Sequence, residues 1–187
     1  MDNVDSIPGT AGVERERALE VVMAEHESAL LRYAARILRD PNVAQDVVQD
    51  VFIKLYQGWK NGAQPARTIK SWLFRVTHNT AIDHIRKESR LRGLHERQAE
   101  EVNPVQAPQQ TTDVANREAM QLALQQIEKL EASEQQVVVL RLQEGMSYRE
   151  IAEITNRSEG NVGCILHNAM KKLAAGLKRA GVTLGGD

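Results

Sequence analysis

The chain has 187 residues, with 24 Lys+Arg, 25 Asp+Glu, five His and one Cys, a length suited to one ordinary domain or two small ones. Its 42% hydrophobic and 26% charged residues are those of a soluble globular protein, and a 4% aromatic content leans towards helix. One cysteine excludes an internal disulfide scaffold and a Cys-based zinc site, and no apolar run approaches the ~20 residues of a membrane span.

The acidic start, Met1 to Glu16, contains Pro8, Gly9 and Gly12 and is unlike a signal or transit peptide, so a cytoplasmic protein without membrane insertion is expected. Residues 1–17 lack apolar periodicity and read as a disordered tail. A helix is predicted from Ala18 to Arg39, with Val22, Leu30, Leu31, Ala34, Ile37 and Leu38 as its apolar stripe. Asp40-Pro41-Asn42 breaks it, and Asn42 with Gln45 forms a capping pair for a second helix, Val43 to Tyr56. After a loop with Gly58, Asn61, Gly62 and Pro65, a third helix runs from Thr68 towards Arg90.

Residues 98–113, with two prolines and repeated Gln, read as a linker and divide the chain into domains at 18–97 and 114–180. The second half is expected to be four helices: Ala115–Leu130, Ser133–Glu144, Ser147–Ile154 and Ser158–Lys178. Ser133 with Gln136 and Ser147 with Glu150 have capping-box spacing, and Gly145 ends the helix between them. No strand alternation is present. The expected fold class is all-α, two small helical domains on a flexible linker.

Charge is unevenly placed. Residues 67–97 carry eight basic and three acidic side chains, residues 160–186 carry four basic and none acidic, and the net charge of the whole chain is −1. Two basic patches on an otherwise acidic chain suit two separated contacts with a polyanion and acidic faces for another partner, or else are solvated helix faces.

Ser147 to Leu173 is the clearest constellation. A short capped helix turns Ile151 and Ile154 inward, a few polar residues reverse the chain, and Ser158 caps a second helix with Val162, Leu166, Ala169 and Leu173 on one face. Asn161, Cys164, His167, Asn168 and Lys171 fall on the outer side, followed by Lys172. Such a pair is a helix-turn-helix that sets its second helix in a DNA major groove, or an ordinary helical hairpin.

In the second helix, Val48, Val51, Phe52 and Leu55 form the core stripe, while Asp46, Gln49, Asp50, Ile53 and Gln57 lie opposite. An isoleucine amid acids and amides fits a protein interface, although a stray exposed Ile is common. The third helix brings Arg75, Asn79 and Arg86 within roughly 40° around its axis, with Trp72 at the margin. Basic and amide groups beside an aromatic suit phosphate contact and base capture, Trp72 alone being more often a core residue. His78 and His84, with Asp83 between them, are on different faces and make no metal site. No P-loop, zinc-protease or nucleophile-elbow motif is present, Cys164 sits beyond the first helical turn, and neither an enzyme nor a cofactor is expected.

The segments LLRYAARILRDPNVAQDVVQDVFIKLY (30–56), SWLFRVTHNTAIDHIRK (71–87) and EKLEASEQQVVVLRLQEGMSYREIAEITNRSEGNVGCILHNAMKKL (128–173) resemble the two-domain extracytoplasmic-function (ECF) sigma factors of the sigma-70 superfamily. The resemblance implies that 18–97 is a region-2 domain and 114–180 a region-4 domain. It implies further that Asp46, Gln49, Asp50, Ile53 and Gln57 dock on the β′ clamp helices of core RNA polymerase. The helix with Trp72, Arg75, Asn79, Arg86 and Lys87 would recognise and hold open the promoter −10 element. The helix with Asn161, Cys164, His167, Asn168, Lys171 and Lys172 would read the −35 element, the β flap would be a further contact, and an anti-sigma factor a usual partner.

The chain departs from the family pattern where Lys or Arg, then Ser, then Arg commonly stand: it has Gly163, Cys164 and Ile165, and Asn168 replaces a common Arg. These changes imply a weaker or differently specified −35 contact. The loop Trp59–Arg67 likewise lacks the usual aromatic and basic pattern. Two other readings are a helix-turn-helix regulator acting without polymerase and a DNA recombinase. The first leaves the Asp46–Gln57 face without a purpose. The second lacks a constellation around Ser28 or Ser71 to activate a nucleophile.

Overall fold

The computed structural model describes residues 10–61, 68–94 and 114–180, and every element among them is helical. The first half forms α1 (Thr10–Leu38), α2 (Pro41–Lys60) and α3 (Ile69–Leu94). The second forms α4 (Val114–Glu128), α5 (Ala132–Val138) continuing into a π-helical turn (Val139–Gln143), then α6 (Tyr148–Thr155) and α7 (Glu159–Arg179). The expected linker 98–113 lies outside the described residues.

The disordered tail expected over 1–17 is contradicted for its last eight residues. Residues 10–17 are already helical, and only 1–9 lie outside the description. Glu14, Arg15, Glu16 and Arg17 are good helix formers, so a helix anchored by Val22 propagates back through them. The α2 cap also differs from Asn42 with Gln45. Asp40 Oδ1 accepts from the Asn42 and Val43 amides at 2.8 and 3.3 Å, with Pro41 in the first turn. An acidic cap followed by proline at the first helical position fits both residues' preferences.

The first half packs Leu30, Tyr33, Ala34, Val48, Val51, Phe52, Leu55, Leu73 and Phe74 into its core. Tyr33 meets Phe74 edge-on at 5.4 Å, and its hydroxyl lies 3.0 Å from His78 Nδ1. Burial holds the His78 pKa down at about 4, with the positive Arg157 adding to the effect. The ring is therefore neutral at pH 7 and shares a hydrogen bond with the phenol through Nδ1.

In the second half the predicted helix 133–144 is not uniform. Val137, Val138, Val139 and Leu140 are all buried, which four consecutive positions of one regular helical face cannot achieve. The π-helical turn inserts the extra residue that rotates the chain, closing with the Glu144 amide on the Val139 carbonyl at 3.1 Å. Its start is fixed by Glu134, whose carboxylate accepts from the Glu131 amide, and not by Ser133 with Gln136. Gly145 then leaves the turn at φ 68°, a left-handed conformation that favours glycine.

Ser147 caps α6 as expected, with Glu150 Oε2 accepting from the Ser147 amide at 2.9 Å. Asn156 supplies the left-handed residue of the tight turn at φ 53°, and Ser158 Oγ accepts from the Asn161 amide at 3.2 Å to start α7. On α7 Val162, Leu166, Ala169 and Leu173 are buried, and Gly176 lets the Gln126 side chain of α4 come close against the helix. The two halves also touch: α3 packs on α6, and α1 on α5.

Candidate functional site

Three helices turn a polar face to solvent directly opposite a buried stripe. On α2, Ala44, Val47, Val48, Val51, Phe52 and Leu55 are buried, while Asp46, Gln49, Asp50 and Gln57 are exposed. Ile53 stands among them at 50% exposure. The fold leaves this face free because α1 and α3 both pack against α2 through the opposite stripe.

On α3, Leu73, Phe74, Thr77, His78 and Ala81 point inward, and Arg75, Asn79, Arg86 and Lys87 are exposed. Trp72 is half-buried and packs against the core, so its ring is largely a structural surface rather than a free stacking plate. Lys54 Nζ donates to Thr80 Oγ1 at 3.2 Å and pins α2 beside this face. Arg86 makes an exposed 3.4 Å pair with Asp83, a contact that salt readily screens.

On α7, Asn161, Cys164, His167, Asn168, Lys171 and Lys172 are all exposed. Two of them are already engaged. Arg157 Nη1 donates to Asn161 Oδ1 at 3.4 Å, and Lys172 Nζ bonds Glu134 Oε1 at 2.7 Å. That bond holds the Lys172 pKa above the usual lysine value and draws the ammonium towards α5. Lys171, by contrast, has no ion pair among the described residues. A Cβ on Gly163 would sit 3.6 Å from Tyr148 Cε2, ordinary contact, so the helix has room for a side chain there.

Several features escaped the sequence reading. An apolar groove of about 190 Å³ between α4, the π turn and α7 is lined by Ile127, Leu142, Met170, Leu173 and Leu177. Leu142 and Met170 are 55% and 43% exposed. Arg141 stacks over the Tyr148 ring at 5.4 Å and donates to the Met146 carbonyl at 2.8 Å, bracing the entry to α6. Among the described residues, no group of His, Cys, Asp and Glu could hold a metal ion. No described helix is long and apolar enough to cross a membrane.

The family models Sigma-70 region 2 and Sigma-70, region 4 match residues 22–91 and 120–173. The chain is 30% identical over 178 residues to the ECF RNA polymerase sigma factor SigL of Mycobacterium tuberculosis, covering 95% of this chain and 98% of that one. The chain belongs to the ECF sigma factors. The RNA polymerase sigma-E factor of Streptomyces avermitilis is 34% identical over 156 residues, with 82% of each chain covered. Among solved structures, CnrH in complex with the cytosolic domain of CnrY aligns at 25% identity and TM-score 0.59, covering 91% and 94% of the two chains. The sigma factor RpoE in complex with the anti-sigma factor NepR from Bartonella quintana shares the fold, at 22% identity and TM-score 0.61, with 87% and 96% covered.

As an ECF sigma factor the chain binds core RNA polymerase and promoter DNA and directs transcription initiation. The reading as a helix-turn-helix regulator acting without polymerase is not favoured. The α2 and α3 faces fall within the region-2 match, and α6 with most of α7 within the region-4 match.

Proposed function

We propose that the three exposed faces divide the work of a sigma factor. The α2 face, through Asp46, Gln49, Asp50, Ile53 and Gln57, docks on the β′ clamp helices. Arg75, Asn79, Arg86 and Lys87 on α3, with the edge of Trp72, take the −10 element. Asn161, Cys164, His167, Asn168 and Lys171 on α7 read the −35 element, with Lys172 in a lesser role because Glu134 holds it. The groove beside Leu142 and Met170 receives the β flap. The chain catalyses no reaction of its own and works in the cytoplasm, where polymerase and promoters are.

The observation that carries this reading is Ile53, half exposed in an acidic and amide-rich face on a different domain from the helix-turn-helix. A duplex-binding regulator has no use for such a face, whereas a docking helix needs an apolar anchor inside a polar rim. Strand opening follows from binding alone, because the chain has no nucleotide-hydrolysing motif to drive it. An unpaired non-template base held by Asn79 and Arg75 offsets the few kcal/mol of unstacking.

Because the similar RpoE structure is of a complex with an anti-sigma factor, an anti-sigma partner covering these faces is part of the proposal. Co-elution of the chain with core polymerase tests the reading. A stoichiometric complex lost on Ile53→Asp supports it, and a chain that binds promoter duplex but never core polymerase returns the regulator reading.

A further inference from the structure

We infer that Glu134, which lies outside the helix-turn-helix, sets how many cations the −35 face presents, by keeping the Lys172 ammonium as its own fixed counter-ion. The inference deepens the −35 assignment and rests on it. Glu134 is a positioning residue: it touches no DNA and acts through Lys172.

The pair is asymmetric. Lys172 Nζ donates to Glu134 Oε1 at 2.7 Å, the short distance of a charge-assisted hydrogen bond. The Glu134 side chain is only 10% exposed, and that of Lys172 is 53% exposed. The second carboxylate oxygen, Oε2, accepts from the Glu131 amide at 3.1 Å, at the start of α5. That start is in turn tied to the end of α4, because Gln135 Nε2 donates to the Glu128 and Leu130 carbonyls at 3.0 and 2.8 Å. Glu134 therefore stands on a fixed platform, whereas Lys172 reaches it on a flexible four-carbon stem. An ammonium that left for a phosphate would strand a nearly buried carboxylate, which costs more than an exposed ion pair returns. Glu131 adds a second attraction on the same ammonium. The tie persists when DNA approaches.

The consequence falls on a helix already short of positive charge. From Glu159 to Met170, α7 carries no Lys or Arg, and Lys171 is exposed directly before the lysine that Glu134 holds. Counter-ion release scales with the phosphates neutralised, so one withheld lysine lowers the salt slope by ~0.9 and removes affinity for every sequence alike. A reading helix with so few free cations binds random duplex poorly. Its occupancy of a −35 element then depends on the local concentration that polymerase and the −10 contact supply. Glu134 thereby limits binding away from promoters without contacting a base.

The test titrates the full-length wild type, Glu134→Gln, Lys172→Ala and the double variant with a short mixed-sequence duplex from low to physiological salt. Circular dichroism verifies helix content. Gln keeps an acceptor for the Glu131 amide but loses the charge that holds Lys172. Glu134→Gln is expected to steepen the salt slope by ~1 and to raise affinity severalfold at low salt. In the Lys172→Ala background the same substitution is expected to leave the slope where it was, because the lysine it frees is gone. A purely structural role for Glu134 would not depend on Lys172 in this way. If Glu134→Gln costs helix content, Glu134→Asp, one methylene shorter, parts the pair and should steepen the slope in the same direction. Lys172→Ala leaves α5 untouched and should lower the slope far less than Lys171→Ala. Equal losses at the two lysines, an unchanged slope in folded Glu134→Gln, or the same change with and without Lys172 would overturn the inference. These titrations use no polymerase, so failure of the sigma-factor reading shows separately, as absence of core binding.

Discussion

On α3 the side chains Arg75, Asn79, Arg86 and Lys87 all reach solvent, whereas on α7 the outward face offers Asn161, Cys164, His167, Asn168 and Lys171, with Lys172 drawn to Glu134. The first face carries three cations, one of them (Arg86) paired with Asp83, for one amide. The second carries one unpaired cation for two amides, an imidazole and a thiol. Phosphate attraction scales with the cations placed near the backbone, while base identity is read by hydrogen-bonding edges. On the proposed roles, α3 would supply mainly affinity and α7 mainly selectivity, and the reading face of α7 would serve without an arginine of its own.

The largest expected effect lies on neither DNA face. Substituting Asp46→Lys, Asp50→Lys and Ile53→Asp together should weaken core polymerase binding on the order of 100-fold, since an apolar anchor and its rim are lost at once. Helix content should be retained, because all three side chains are exposed. Titration of labelled protein with core enzyme measures this, and unchanged affinity would remove α2 from the interface.

On the α3 side, Asn79→Ala should lower open-complex formation roughly tenfold on duplex promoters, as lost capture of an unpaired base, and far less on a pre-melted bubble. Equal defects on both templates would instead make α3 a duplex-binding surface like α7.

Acid sharpens the comparison by loosening the α3 half first. The His78 pKa is about 4 in the folded chain against 6.5 for the free side chain, so the unfolded state binds the proton more readily. The associated stability is fully present above pH 6.5 and fades as pH falls towards 4, by about 2 kcal/mol between pH 7 and 5. Thermal melts across that range should show the loss, and His78→Gln should flatten it.

The α7 side is probed by salt and by selection. Lys171→Ala should reduce the salt slope of −35 binding by ~1 without changing sequence preference, and Lys172→Ala should reduce it less because Glu134 already holds that ammonium. Asn pairs bidentately with adenine where Arg prefers guanine, so selection from random duplexes should return adenine at directly read positions. A guanine-centred motif contacted at Asn168 would contradict this. Gly163→Lys, for which the helix has room beside Tyr148, should strengthen binding by restoring a cation. The smallest effect is expected at Thr77, whose buried hydroxyl has no hydrogen-bond partner among the described residues. Thr77→Val should leave stability unchanged or raise it by up to about 1 kcal/mol.

Much of this was legible because helical spacing separates faces cleanly. The stripes of α2 and α7, the Ser147–Glu150 box, the Ser158 cap and the Gly145 terminus all follow from local rules that hold whatever surrounds them. The misses arise where the surroundings decide. The π-helical turn answers the need to bury four consecutive residues, a demand set by the packing of the half rather than by any one residue. Glu134, which looks like a surface acid in a polar stretch, is buried and holds both the start of α5 and Lys172. Lys70 carries no sequence signal for Glu144, nor Ser71 for Glu150, because residues more than seventy positions apart meet only through the packing of the halves.

Transcription by reconstituted holoenzyme tests the central claim most directly. Core polymerase saturated with this chain should initiate on a library of genomic fragments at sites preceded by one shared −10 and −35 pair, the latter containing adenine. The transcripts should disappear with the Asp46/Asp50/Ile53 variant. Initiation that is independent of the chain, or that persists unchanged with that variant, would contradict the account.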